Sequence, residues 1–399
     1  MTQSRTLAHH VFRLLLWGGV YYFILNRLHP ELILTDAIPT GGDLASHYPA
    51  LVYLRDHLLP QGRIVGWQPG NYAGFPQFQL YFPLPFLLMT GLGLLLPLTV
   101  AFKLVSIAGV LTLPLAAYRF ARNLNLDRAT ADLAAPATLP FLFMEANSAW
   151  GGNITSTLAG EFTYGLGLSL SLVYLGRLFH HLPQGNKTIT QAIILAIVGL
   201  CHGYTLLFCI LGASFFLITT KDWTERLTYL LRINLLAFCL MGFWIVPLII
   251  FLPFSTAFNY VWRIEGWREV FPPILWPLII PGLAGIITGL VRAGRDRLRA
   301  GFLLYLALVS IIFYSLGFHI GLVDIRFLPF LQIILVLSGG LAIGQLLTSF
   351  KWREITILGL GLTIMAWTGQ NVMVVDHWAA WNYSGWTAKP LWPAFKEIT

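Results

Sequence analysis

Apolar stretches of about twenty residues recur along nearly the whole chain, broken by short polar segments, and each is long enough to cross a bilayer as a helix. The first, VFRLLLWGGVYYFIL, follows Arg5 and carries Arg13 near its start like a secretory signal, but Asn26, Arg27 and Leu28 come next instead of a small-residue cleavage site. An uncleaved first span is therefore expected. Further spans are predicted near 99–119, 129–146, 162–180, 228–252, 272–292, 300–318, 327–349 and 355–373. Two stretches depart from this rule. Leu80 to Tyr118 holds roughly 39 residues, too few for three crossings, so YFPLPFLLMTGLGLLLP (residues 81–97) reads as a proline-broken helix lying in or dipping into the interface. Ile189 to Thr220 holds about 32 residues, and two short helices meeting at His202-Gly203 account for it. The fold class expected is an all-α polytopic membrane protein with about eleven transmembrane helices.

Composition supports this class. The chain is 57% hydrophobic and 11% charged, against about 25% charged in soluble proteins, so its apolar surface has to face lipid. Mean hydropathy is +0.71. The formal charge of +8 arises from short clusters between spans, which excludes a nucleic-acid face and instead reports orientation. Basic residues gather at Arg119, Arg122 and Arg128; Arg177 and Lys187; Lys221, Arg226 and Arg232; Arg292, Arg295, Arg297 and Arg299; and Lys351 and Arg353. Placing these inside puts the N-terminus inside and the C-terminus outside. Of the 17 acidic residues 11 then fall outside, although they play no part in fixing the orientation, and chemistry is expected on that side. Cys201, Cys209 and Cys239 all lie in apolar runs, so no disulfide framework is indicated. No repeat or linker divides residues 1–399, which are read as one transmembrane domain with a first outer loop at 26–79, an interfacial or re-entrant helix at 80–97 and an outer C-terminal segment at 374–399.

The first outer loop is long for this chain, and long structured loops are usually functional. In TDAIPTGGDLASHYP, Gly41-Gly42 allows a turn and Asp43 stands at a helix start, so Asp43 and His47 share a face at i and i+4. A plain capping role would account for Asp43 equally well. In WQPGNYAGFPQFQLYFPLPF, aromatic faces beside amides suit a sugar ring, with Trp67, Gln68 and Tyr72 as candidates and Asn71 or Gln77 as hydrogen-bonding partners. Tyr81 and Phe82 read instead as an interfacial aromatic belt. Glu161 sits at a membrane boundary before the glycine-spaced TYGLGLSLSL, where a carboxylate needs solvent or a partner. Arg326, near Asp324 and His319 in HIGLVDIRFLPF, has the planar fork that clamps a phosphate, unless it pairs locally with Asp324. His202 at the helix break reads as a substrate contact or a packed helix-end histidine. Glu145 reads as an interfacial charge, and the glycan-acceptor patterns at Asn153, Asn186 and Asn382 are discounted as chance.

GGDLASHYP, GWQPGNYAGFPQFQLYFPLPF, LAGEFTYGLGLSLSL, the histidine-glycine break and DIRFLPF, in this order, resemble the GT-C class of polytopic glycosyltransferases. The branch they resemble most is the bacterial and archaeal membrane proteins labelled 6-pyruvoyl-tetrahydropterin synthase related, which implies the cytoplasmic membrane of a prokaryote. The resemblance implies transfer of a sugar from a polyprenyl-phosphate carrier to a glycan, lipid or protein acceptor on the outer side. It also implies that the first-loop acid, matched by Asp43, acts as base or as ligand of a divalent metal, with Glu161 matching a second catalytic acid. Asp43 is single here rather than part of the Asp-x-Asp pair of some branches. Members often carry a soluble outer domain beyond the membrane part.

The function expected is thus an inverting membrane glycosyltransferase with Asp43 as base and Arg326 on the phosphate. Two other classes stand beside it. A transporter or flippase of lipid-linked sugars predicts ionisable pairs at mid-membrane depth, which the spans lack. The other is a non-catalytic membrane subunit of a glycan-assembly system.

Overall fold

The computed structural model describes residues 2–182, 185–218, 222–256 and 261–397, with the side chains of 2–9 and of Phe395 outside the description. Helices dominate because most segments are apolar and free of internal charge, and in lipid only a helix satisfies its own backbone polar groups. Six described helical segments are long and apolar enough to cross a membrane: Leu98–Asn123, Phe162–His181, Trp223–Phe254, Pro273–Val291, Arg295–Ile320 and Asp324–Ser349. A seventh arises if Arg353–Gln370 and Val375–Tyr383, bent by 73° at a short break, count as one. The remaining places where spans were expected hold the Thr2–Arg27 helix and shorter pieces: Arg128–Ala137 with Leu139–Leu142, Thr188–Cys201, and Gly203–Ala213 with Phe215–Ile218. The expected single span at 129–146 is thus interrupted, and Pro136 and Pro140 supply the reason by removing backbone donors in mid-segment.

Helix burial sorts the bundle into centre and periphery. Asp324–Ser349 has 89% of its apolar window buried and Phe162–His181 83%, whereas Trp223–Phe254 has 17% and turns its leucines and phenylalanines outward. Close crossings hold the centre together. A Cβ on Gly109 would lie 2.3 Å from the Gly165 backbone, and one on Gly339 would lie 2.0 Å from the Leu278 carbonyl. Only glycine permits backbones to approach this closely, which is how helices gain packing energy without a hydrophobic force from lipid.

The two ends of the bundle differ. At one end, here the far end, Arg353 donates to Asp127 at 2.9 Å, Arg13 pairs with Asp132 at 2.7 Å and the Tyr229 hydroxyl donates to the Asn186 carbonyl at 2.7 Å. Arg292, Arg299, Leu124 and Leu126 share one cavity there. The basic segments therefore meet at this end; Lys221, expected among them, lies outside the described residues.

The other end, the loop end, carries residues 28–83 as a compact layer. Helix Leu44–Tyr53 runs on through a wide turn at Leu54–Leu58, and strands Gly66–Gln68 and Phe75–Gln77 pair antiparallel, a hairpin not expected in an all-helical chain. The layer has its own apolar core, in which Leu44, Leu51, Leu54, Phe78 and Phe86 pack on Phe162. Helix Leu84–Leu92 has nine residues, too short to cross a bilayer, and places Phe86 and Met89 in that same core. Lys103 is fully buried and donates to the carbonyls of Leu32 and Thr35, at 2.7 Å each, which fastens the start of the layer to the bundle.

Candidate functional site

At the loop end three backbone segments dock on one another. Gly41 and Gly42 both have positive φ, 87° and 49°, and a Cβ on Gly42 would lie 2.4 Å from the Ala159 carbonyl, so glycine is required for the turn and for the contact. The next residue, Asp43, donates its backbone N–H to that carbonyl at 2.8 Å. Gly160 packs against the Asp43 side chain so closely that a Cβ there would lie 2.6 Å from that of Asp43. The third segment is helix Val375–Tyr383. Its Asn382 accepts from the Thr40 N–H through its carbonyl at 2.8 Å and donates from its side chain to the Leu158 carbonyl at 2.6 Å. GGD and LAGEF, 118 positions apart, are thus brought side by side.

Asp43 precedes helix Leu44–Tyr53, yet its side chain makes no capping hydrogen bond and is exposed. The capping explanation fails, and the carboxylate remains available. Glu161 is not available in that sense. It forms an ion pair with Arg326 in which both side chains are mostly buried, so the second acid of the resemblance is engaged by a cation rather than free as a base. The alternative, a local pairing of Arg326 with Asp324, does not form: Asp324 is buried and accepts from the Ile325 N–H at 2.7 Å. Tyr164 donates to the Arg326 carbonyl at 2.7 Å, and the Val323 N–H donates to the Tyr204 hydroxyl at 2.7 Å, so two helices hold the turn that carries this arginine. Its Nη1 atom is buried with no hydrogen-bond partner among the described residues. One half of the guanidinium fork is therefore used and the other unspent.

His47 lies within the field of Asp43 and against an aromatic wall. Its Nε2 is 3.2 Å from the Tyr81 hydroxyl, and its ring contacts Tyr81, Phe86 and Phe162. Burial lowers its pKa from 6.5 to about 4, against the opposing pull of Asp43 and a backbone hydrogen bond with Gly160, so the imidazole is neutral at pH 7. Burial, and next the charge of Glu161, raise the Tyr81 hydroxyl above its ordinary range, which leaves it a neutral donor that feels Glu161, Arg326 and Asp43 together. Tyr81 and Phe82, expected in an aromatic belt, are therefore part of this site. Phe82 packs against His202 with ring centres 4.4 Å apart and planes tilted by 37°. His202 itself is buried and accepts the Tyr204 N–H at 3.3 Å, capping helix Gly203–Ala213, which is the packed helix-end role.

The remaining candidates lie elsewhere. Trp67, Gln68 and Tyr72 belong to the hairpin: Trp67 covers Gly74, Tyr72 is 87% exposed, and the Gln68 amide oxygen is buried without a partner among the described residues. Asn71 donates to the Gln77 amide oxygen at 3.4 Å, so these two amides face each other. His319 stands exposed on the turn Phe318–Ile320 against Phe318, and the structure does not bring it to Arg326. Asn153 and Asn382, discounted as glycan acceptors, are both buried and hydrogen-bonded. Glu145 is more than an interfacial charge, because it accepts from the N–H groups of Met373, Val374 and Val375 at 2.7–2.9 Å and anchors helix Val375–Tyr383. Among the described residues no three or more of His, Cys, Asp and Glu gather closely enough to hold a metal ion. Asp43 offers one carboxylate with its nearest acid already paired, so the residues present do not fit a divalent metal held by protein ligands.

A bundle of apolar helices with a polar, partly buried site under a structured loop defines a polytopic membrane protein. The chain belongs to the 6-pyruvoyl-tetrahydropterin synthase related domain family, whose members are membrane proteins; the family model matches residues 78–384. Glu161, His202, Asp324 and Arg326 fall inside the matched region, while Asp43 and His47 precede it. Among curated proteins no sequence matches the chain.

Proposed function

We propose that the protein is a membrane glycosyltransferase of the GT-C type, moving a sugar from a polyprenyl-phosphate carrier to an acceptor hydroxyl on the extracytoplasmic side. One observation carries the reading. An uncapped, exposed Asp43 is docked through Ala159 and Gly160 beside Glu161, and Glu161 holds an arginine whose second guanidinium nitrogen is buried and unpartnered. A free carboxylate next to a half-used phosphate fork is the pair of groups that glycosyl transfer to a hydroxyl needs.

In the proposed reaction Asp43 takes the proton of the acceptor hydroxyl as its oxygen bonds to the sugar C1 on the face opposite the phosphate. The C1–O bond to the carrier breaks, its electron pair leaves with the polyprenyl phosphate, and Arg326 offsets the developing charge. Glu161 acts as a positioning residue that orients Arg326, and Tyr81 with neutral His47 supplies hydrogen bonds that favour no second charge.

The proposed topology has eleven crossings with the far end cytoplasmic, so that 121–128, 221–227 and 292–299 are inside and 30–79 and 376–399 outside. The basic residues gathered at the far end support it. To test the activity, purified protein is incubated with a panel of radiolabelled polyprenyl-phosphate sugars and candidate acceptors. Release of free polyprenyl phosphate is expected, and no release from any donor would contradict the reading.

A further inference from the structure

The far end carries a second built feature unrelated to Asp43. A cavity of about 230 Å³ lies between helices Pro273–Val291, Arg295–Gly317 and Asp324–Ser349, with Arg292, Asp296 and Arg299 at its mouth. Asp296 pairs with both arginines, at 3.4 Å to Arg292 and more closely to Arg299. One carboxylate cannot neutralise two guanidinium groups, so the mouth keeps a positive charge. Arg299 is mostly buried, and its Nε atom has no hydrogen-bond partner among the described residues; Arg292 stands more than half exposed. Arg297 is not part of the mouth's supply, because its Nε donates to the carbonyls of Leu290 and Arg292.

Below the mouth the lining is mainly apolar, through Ala284, Leu341 and Ala342 down to Pro281, and the hydroxyls of Thr288 and Ser338 that border it donate back to carbonyls of their own helices. From Arg292 to Pro281 is eleven residues of helix, about 16 Å at 1.5 Å per residue. A free phosphate would use only the top of such a cleft. An amphipathic molecule with one anionic end and an apolar chain fits all of it, and basic pockets between membrane helices are suited to anionic headgroups.

We propose that this cleft is a binding site for an anionic phospholipid of the surrounding bilayer, its headgroup phosphate on Arg292 and Arg299 and one acyl chain along the Ala284–Ala342 wall. The site requires only the membrane setting and is independent of glycosyl transfer.

The test is native mass spectrometry of the full-length protein in detergent with added phosphatidylglycerol or phosphatidylcholine, with inorganic phosphate as competitor. One phosphatidylglycerol is expected to be retained in preference to phosphatidylcholine, and millimolar phosphate is expected not to displace it. Arg292→Gln should reduce retention about fivefold, the scale for one surface arginine against an anionic lipid. Ala284→Trp should reduce it without altering the charge, by filling the apolar wall. Equal retention of the two lipids, displacement by phosphate alone, or wild-type retention in Arg292→Gln would overturn the proposal. Arg292 is exposed at the mouth, so its variant decides the matter even where the tryptophan variant fails to fold.

Discussion

Arg326 is the residue whose environment says most about chemistry. Its guanidinium is split between Glu161 and an unfilled direction, and a lysine would keep the charge while losing the fork. Arg326→Lys is therefore expected to raise the KM for the lipid-linked donor roughly tenfold and to change kcat less, as steady-state kinetics would report. His47 gives a pH prediction. Its folded pKa, about 4, lies below the ordinary 6.5, so the unfolded chain binds more protons between these values. The stability from neutral His47 is complete above pH 6.5 and is lost as pH falls toward 4. Thermal midpoints measured across this window should decline in the wild type and be flatter in His47→Gln; equal slopes would remove His47 from the account. Asp43, Glu161 and Arg326 stood out as candidates in the sequence through the resemblance of GGDLASHYP, LAGEF and DIRFLPF, since spacing alone left capping, helix-dipole and snorkelling roles open. The Glu161–Arg326 pairing did not, since 165 positions separate the partners and Asp324 offered a nearer one. Tyr81 and Phe82 could not be told from belt aromatics, because membrane-interface and site aromatics share one composition.

At the scale of elements, the loop layer is held by contacts that span the chain. Glu145 receives three backbone N–H groups at the start of helix Val375–Tyr383, the same helix whose Asn382 clamps Thr40 and Leu158. Glu145→Gln removes the charge from these bonds and is expected to cost about 2 kcal/mol, the scale of hydrogen bonds to a charged group. It should lower the thermal midpoint and reduce transfer as the GGD turn loosens. An unchanged midpoint would show that the helix is held by other means, among them the Arg27–Asp376 ion pair at 2.5 Å. The helix break at His202-Gly203 was readable from length and flanking charge together, because about 32 residues between two basic ends demand a return. The interruption of 129–146 was not foreseen although Pro136 and Pro140 stood in the run, since apolar length outweighed them in the reading. The hairpin Gly66–Gln68 with Phe75–Gln77 was missed for a similar reason: three-residue strands leave almost no alternating pattern.

For the whole molecule, orientation and activity are the two claims to measure. Cys239 is the exposed native cysteine among the described residues, so a Cys239→Ser background suits single-cysteine labelling. With an impermeant maleimide added to intact cells, Asp56→Cys should label and Arg295→Cys should not; the reverse pattern would move the proposed site to the wrong side of the membrane for an extracytoplasmic acceptor. The central claim rests on Asp43, and its most direct measurement is the transfer rate of Asp43→Asn beside the wild type. Asparagine keeps the size of the side chain and cannot accept the proton, and since Asp43 caps nothing, the fold loses no capping bond. Release of polyprenyl phosphate should fall by roughly 10²-fold or more, the usual scale for losing a general base, while protein yield and donor binding stay near wild type. An Asp43→Asn protein that transfers sugar at the wild-type rate would contradict the account.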